Sequence, residues 1–69
     1  MINKINGVAT IENTRIQVWT LVSFKLQGLS DEEILSNYYI SKEQLEECWK
    51  YYQENKEEID LNIYENSSN

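Results

Sequence analysis

A mainly α fold, with an N-terminal β-hairpin followed by a three-helix, helix–turn–helix-like bundle, is what this 69-residue chain predicts. Three observations carry that expectation. β-prone residues gather on either side of Asn13-Thr14. Gly28-Leu29-Ser30 separates two apolar-periodic stretches, and a turn of three or four residues containing glycine marks the helix–turn–helix. Ser30 and Ser41 each stand three residues ahead of a Glu or Gln (Glu33 and Gln44), the capping-box spacing at a helix start.

The elements follow in order. Val8, Thr10 and Ile11, then Ile16 and Val18, predict two short strands over residues 7–12 and 14–18. Asn13 suits the turn between them, because asparagine tolerates the left-handed backbone that tight turns demand. Val18, Leu21, Val22 and Leu26 recur at helical spacing and predict a first helix over 18–27. Gly28 then suits a left-handed cap, with Leu29 placed for its accompanying apolar contact. A second helix over 31–37 buries Ile34 and Leu35. After a break at Asn37-Tyr38-Tyr39-Ile40, a third helix over 42–57 presents Leu45, Cys48, Trp49 and Tyr52 on its apolar face, with Ile59 next on the same stripe. The domain is expected to occupy residues 1–60, leaving 61–69 as a polar, partly disordered C-terminal tail.

Size and composition narrow the function. A chain this short buries only about 60% of its unfolded surface, so it needs support beyond its own core. One cysteine excludes an intrachain disulfide, and without histidine the donors for a zinc site are poor. A second copy is the support that remains, and a homodimer through the exposed edge of the N-terminal hairpin is expected. No nucleophile is placed beside a base, so no enzyme activity, catalytic residue, metal or cofactor is expected. Cys48 reads as a core residue. A lone cysteine without a secretion signal predicts the cytoplasm, and no apolar run reaches the ~20 residues of a membrane span.

Charge divides the chain. Residues 1–30 carry three cations against one carboxylate, whereas residues 31–69 carry three cations against eleven. The total of −6 opposes phosphate, so DNA binding by the protein alone is expected to be weak. Candidate nucleic-acid contacts are Thr14 and Arg15 beside the turn, and Lys42 and Gln44 at the start of the third helix. For Arg15 an ion pair with Asp31 or Glu32, tying the hairpin to the helices, is the competing expectation. Adjacent carboxylates such as Glu46-Glu47 point about 100° apart on a helix and suit a solvated face better than a catalytic pair. The aromatic residues suit core and interface. Tyr51 and Tyr52 cannot share one helix face, so one is expected to face a partner.

The C-terminal segment mixes Ile59, Leu61, Ile63 and Tyr64 with Glu57, Glu58, Asp60 and Glu65. Acidic charge steers encounter with a basic surface and apolar side chains anchor it. Tyr51, Ile59, Leu61, Ile63 and Tyr64 are therefore the candidate partner-binding residues. The alternative is a helix end that folds back onto its own core.

Four stretches are the basis of a family resemblance. Gly7-Val8-Ala9-Thr10-Ile11-Glu12-Asn13-Thr14-Arg15-Ile16-Gln17-Val18-Trp19 resembles the opening signature of the family known as domain of unknown function 433. Gly28-Leu29-Ser30-Asp31-Glu32-Glu33-Ile34-Leu35 and Tyr38-Tyr39-Ile40-Ser41-Lys42-Glu43-Gln44-Leu45 are similar to its later pattern, as is Tyr51-Tyr52. The chain departs from the pattern at Glu12, where the family often carries a basic residue, and at Asn13, where it usually carries glycine. Gln17 and Tyr39 replace family prolines. The resemblance implies a hairpin-plus-three-helix domain, often dimeric. It further implies an antitoxin-like role, neutralising a PIN-like nuclease toxin and repressing its own promoter in complex with it. A stand-alone helix–turn–helix transcriptional regulator is the alternative.

Overall fold

The computed structural model describes residues 1–67. It is mainly helical with an N-terminal two-stranded antiparallel hairpin, as expected, but four helices follow the hairpin rather than three. The strands are β1 (Ile2–Ile5) and β2 (Val8–Ile11), paired from Ile2 opposite Ile11 to Ile5 opposite Val8. Their turn is Asn6-Gly7, with φ of 53° and 82°. Two successive positive φ values are what a two-residue hairpin needs to match strand twist, and Asn-Gly supplies them at little cost.

The hairpin therefore lies one element earlier than expected. At Asn13 a turn does form, with φ of 63°, and the Ile11 amide donates to the Ile16 carbonyl at 2.9 Å. The strand expected over 14–18 shrinks to one bridge between Thr10 and Gln17. Too little chain remains there, because the first helix already starts at Val18.

That helix, α1 (Val18–Leu26), ends as the sequence predicts. Gly28 has φ of 103°, its amide donates to the Lys25 carbonyl, and the Leu29 amide reaches back to Phe24. This is a Schellman closure, which satisfies carbonyls that the helix end leaves open. A Cβ at Gly28 would meet no atom within 4 Å, so the obstacle to a side chain is the backbone angle alone. Gly28→Ala is expected to cost about 1–3 kcal/mol, read as a lowered urea midpoint at unchanged slope; an unchanged midpoint would remove that reading of the turn.

Reciprocal capping boxes open α2 (Asp31–Asn37) and α3 (Lys42–Glu54). Ser30 accepts from the Glu33 amide while Glu33 accepts from the Ser30 amide, and Ser41 and Gln44 do the same. The third helix stops at Asn55, short of the expected residue 57. A fourth, α4 (Lys56–Ser67), continues through most of the segment expected to be a tail. Ser68 and Asn69 lie outside the described residues.

The core explains the bend. Ala9 and Ile11 of β2, Val18, Leu21 and Val22 of α1, Ile34 of α2, Leu45 and Cys48 of α3, and Ile59 of α4 form one buried cluster. A straight third helix would carry Ile59 away from α1. Turning at Asn55 returns it to the cluster. Trp49 fastens the middle of the bundle: its Nε1 donates to Asp31 at 3.3 Å, and Lys25, paired with the same carboxylate at 2.8 Å, lies 5.5 Å above its ring. Among the described residues no helix is long and apolar enough to cross a membrane.

Candidate functional site

The outer surface of α4 is the feature that asks for a function. Counting from Glu57, helical spacing of three and four residues sets Glu57, Asp60, Leu61, Tyr64 and Glu65 in one stripe, and all five are exposed. Leu61 is 54% exposed and Tyr64 71%. The opposite side of the same helix holds Ile59, Asn62 and Ile63 against the bundle.

This geometry divides the expected partner-binding residues. Leu61 and Tyr64 lie outward. Ile63 is half-buried against the core, and Ile59 is fully buried, so Ile59 belongs to the fold and not to a surface. The correction follows from helix periodicity: residues 59 and 63 share the inner face, while 61 and 64 share the outer one. Tyr51 also turns inward. Its hydroxyl donates to Glu58, whose two oxygens lie 3.1 and 3.0 Å away, and Lys4 pairs with the same carboxylate at 3.2 Å. That trio joins β1, α3 and α4. Burial first, and then Glu58, push the Tyr51 hydroxyl above its ordinary pKa, while Glu58 holds the Lys4 ammonium above its own. Tyr52 is likewise committed within the chain, donating to Asp60 at 2.7 Å.

The candidate nucleic-acid contacts do not converge. The Thr14 hydroxyl donates to the Ile11 carbonyl and accepts from the Ile16 amide, so it stabilises its own turn. Gln44 is occupied in the capping box. Arg15 lines a cleft with Ile5, Thr10 and Gln17, whereas Gln44 lines a separate one with Tyr39, Ile40 and Ser41. Lys42 is exposed. Among the described residues Arg15 forms no ion pair, so the tie to Asp31 or Glu32 is absent; Lys25 takes Asp31 instead. Three of the six cations, Lys4, Lys25 and Lys56, are thus spent inside the molecule. Little positive charge remains to face phosphate.

Helix-start carboxylates make stability sensitive to acid. The Ser30 amide bond holds the Glu33 carboxyl below its ordinary pKa, and the Lys25 ammonium does so for Asp31. A carboxyl depressed by folding stabilises fully above its unfolded pKa, about 4.3 for glutamate. That contribution is lost as pH falls through the folded value. The thermal midpoint is therefore expected to drop from roughly pH 4 downward, and Glu33→Gln to flatten part of that drop. An acid limb indifferent to Glu33→Gln and Asp31→Asn would assign it elsewhere.

Cys48 is fully buried, and desolvation pushes its thiol up to about 12. The thiolate is the reactive form, so native protein at about pH 8 should resist alkylation until it unfolds. Labelling in native buffer as fast as in urea would contradict the buried placement. No group of three or more Cys, Asp or Glu side chains suited to a metal ion occurs among the described residues.

The chain is thus a small, mainly helical domain, an N-terminal two-stranded hairpin followed by four helices. Comparison places it more narrowly. The sequence profile of a family described as a protein of unknown function (DUF433) matches residues 2–52. The fold is similar to the crystal structure of a DUF433 member protein from Anabaena variabilis, with a TM-score of 0.86 and 44% identity. That alignment covers 91% of this chain and 67% of the other. No curated protein matches significantly. The chain belongs to the DUF433 family. The matched profile stops within α3, so α4, with both its core residue Ile59 and its outer stripe, lies beyond it.

Proposed function

We propose that this protein is an antitoxin-like binding module whose α4 stripe occupies the basic, RNA-binding groove of a small PIN-like nuclease and blocks it. The observation that carries this reading is the stripe itself: Leu61 and Tyr64 stand exposed and adjacent among Glu57, Asp60 and Glu65. An amphipathic helix laid into a groove is a recurring recognition mode, in which a few apolar anchors supply most of the affinity. Acidic flanks make the groove's natural ligand, RNA, the competitor. They also disfavour DNA as the partner of this surface.

The test is co-expression with a nuclease encoded by the adjacent gene, followed by co-purification and a ribonuclease assay. Retention of the nuclease with loss of its activity is the expected result. A folded protein that neither retains nor inhibits the nuclease sinks the reading. Among the described residues no strand lies beside the outer edge of β1, which favours pairing with a second copy through the hairpin. A regulator acting on DNA by itself is favoured by Arg15, Lys42 and Lys50, exposed cations that form no ion pair among the described residues. Its discriminating measurement is the salt dependence of promoter binding, since phosphate contacts weaken steeply with salt.

A further inference from the structure

We propose that α4 exchanges between two copies of this chain: Asn55 straightens, α3 and α4 become one helix, and each α4 fills the other copy's core. The argument begins with the hinge. Only Asn55 separates Glu54, the last residue of α3, from Lys56, the first of α4. Part of the helical hydrogen-bond ladder already crosses it. The Asn55 amide already donates to the Tyr51 carbonyl at 2.9 Å, four residues back, and the Ile59 amide to Asn55 at 3.2 Å. What is lacking are the bonds from the Lys56, Glu57 and Glu58 amides to the carbonyls of residues 52–54.

Local sequence favours closing that gap. Glu54, Lys56, Glu57 and Glu58 are all good helix formers, and Asn55 is the single poor one. Its side chain donates from Nδ2 to the Tyr51 carbonyl at 3.1 Å. Read for periodicity alone, the chain continues as helix to residue 57. The bend exists because Ile59 and Ile63 must reach the bundle. Local preference and tertiary packing therefore conflict within one chain.

Two chains remove the conflict. With α4 exchanged, Ile59 enters the partner's cluster and Glu58 meets the partner's Lys4, so the contacts of the closed form are remade between copies. Each chain also gains the missing ladder bonds. Exchange of an identical element is a low-cost route to a dimer, and short hinges favour it. The continuous helix over residues 42–67 would extend about 39 Å, longer than any dimension of the closed domain, whose extents are 27 × 25 × 21 Å.

The experiment refolds the full chain and an Asn55→Ala variant at millimolar concentration and separates monomer from dimer. Alanine removes the Nδ2 bond and improves helix propensity, so the dimer-to-monomer ratio should rise tenfold or more. Hydrogen exchange then tests the geometry. In the dimer, the amides of residues 56–58 should become protected, because only a continuous helix gives them carbonyl partners. An Asn55→Ala protein that stays monomeric overturns the proposal. So does a dimer whose 56–58 amides exchange as in the monomer, which would assign association to the β1 edge. Should Asn55→Ala fail to fold, Leu21→Asp and Ile59→Asp chains are refolded separately and mixed. Exchange rebuilds one intact core from the two, and cooperative unfolding should reappear only in the mixture. Its absence there also overturns the proposal. The nuclease-binding test is independent, since Leu61 and Tyr64 remain outward on either form of α4.

Discussion

Ile59→Ala is expected to leave this protein largely unfolded at physiological temperature, although residue 59 lies beyond the segment matched to the family. Ile59 is 0% exposed and closes the cluster formed by β2, α1, α2 and α3. Removing so much buried aliphatic side chain costs about 2–5 kcal/mol, from lost transfer energy and the remaining cavity. A core of this size supplies only ~3–5 kcal/mol of stability, so one substitution consumes most of it. Leu61→Ala on the same helix is the control. At 54% exposure it should change stability by no more than about 0.5 kcal/mol. Urea unfolding of both variants at unchanged slope checks the contrast. Equal midpoints would mean that α4 does not pack as described.

The same contrast shows why the sequence disclosed some elements and concealed others. Helix boundaries set by chemistry within a few residues were legible. Ser30 with Glu33, Ser41 with Gln44, and Gly28 with Leu29 all form the caps that their spacing predicts. The hairpin lies earlier than expected because Asn6-Gly7 is a stronger turn dipeptide than Asn13-Thr14. Ile2–Ile5 is a strand whose mostly exposed face gives little apolar alternation to detect. The bend at Asn55 had no comparable local signal. Helix formers flank it, and only Ile59's place against α1 requires the chain to turn. The partner-facing set suffered from the same omission. Once residues 56–67 are a helix, spacing alone assigns Ile59 and Ile63 inward and Leu61 and Tyr64 outward. A helix ending at 57 and a tail starting at 61 assign these four residues to no common set of faces.

Loss of Leu61 and Tyr64 together should weaken nuclease binding by about a hundredfold or more, with little change in the folded protein. Interface anchors typically cost about 2 kcal/mol or more each on truncation, and the effects are not additive. A combined loss near 2.8 kcal/mol corresponds to about a hundredfold in dissociation constant. Tyrosine is a favoured anchor because it supplies large apolar area with a polar tip. Glu57→Lys acts on a different quantity. Reversing a rim charge should lower the association rate and flatten its dependence on salt, while the dissociation rate changes little. Measuring both rates at two ionic strengths therefore separates the roles assigned to the stripe. Slow association in Glu57→Lys with fast dissociation in Leu61→Ala/Tyr64→Ala is the expected pattern. If the double variant keeps its affinity, the anchors lie elsewhere, and the exposed apolar residues Leu26 and Tyr39 are the next to replace. If Glu57→Lys is also without effect, the acidity of α4 serves solubility rather than recognition.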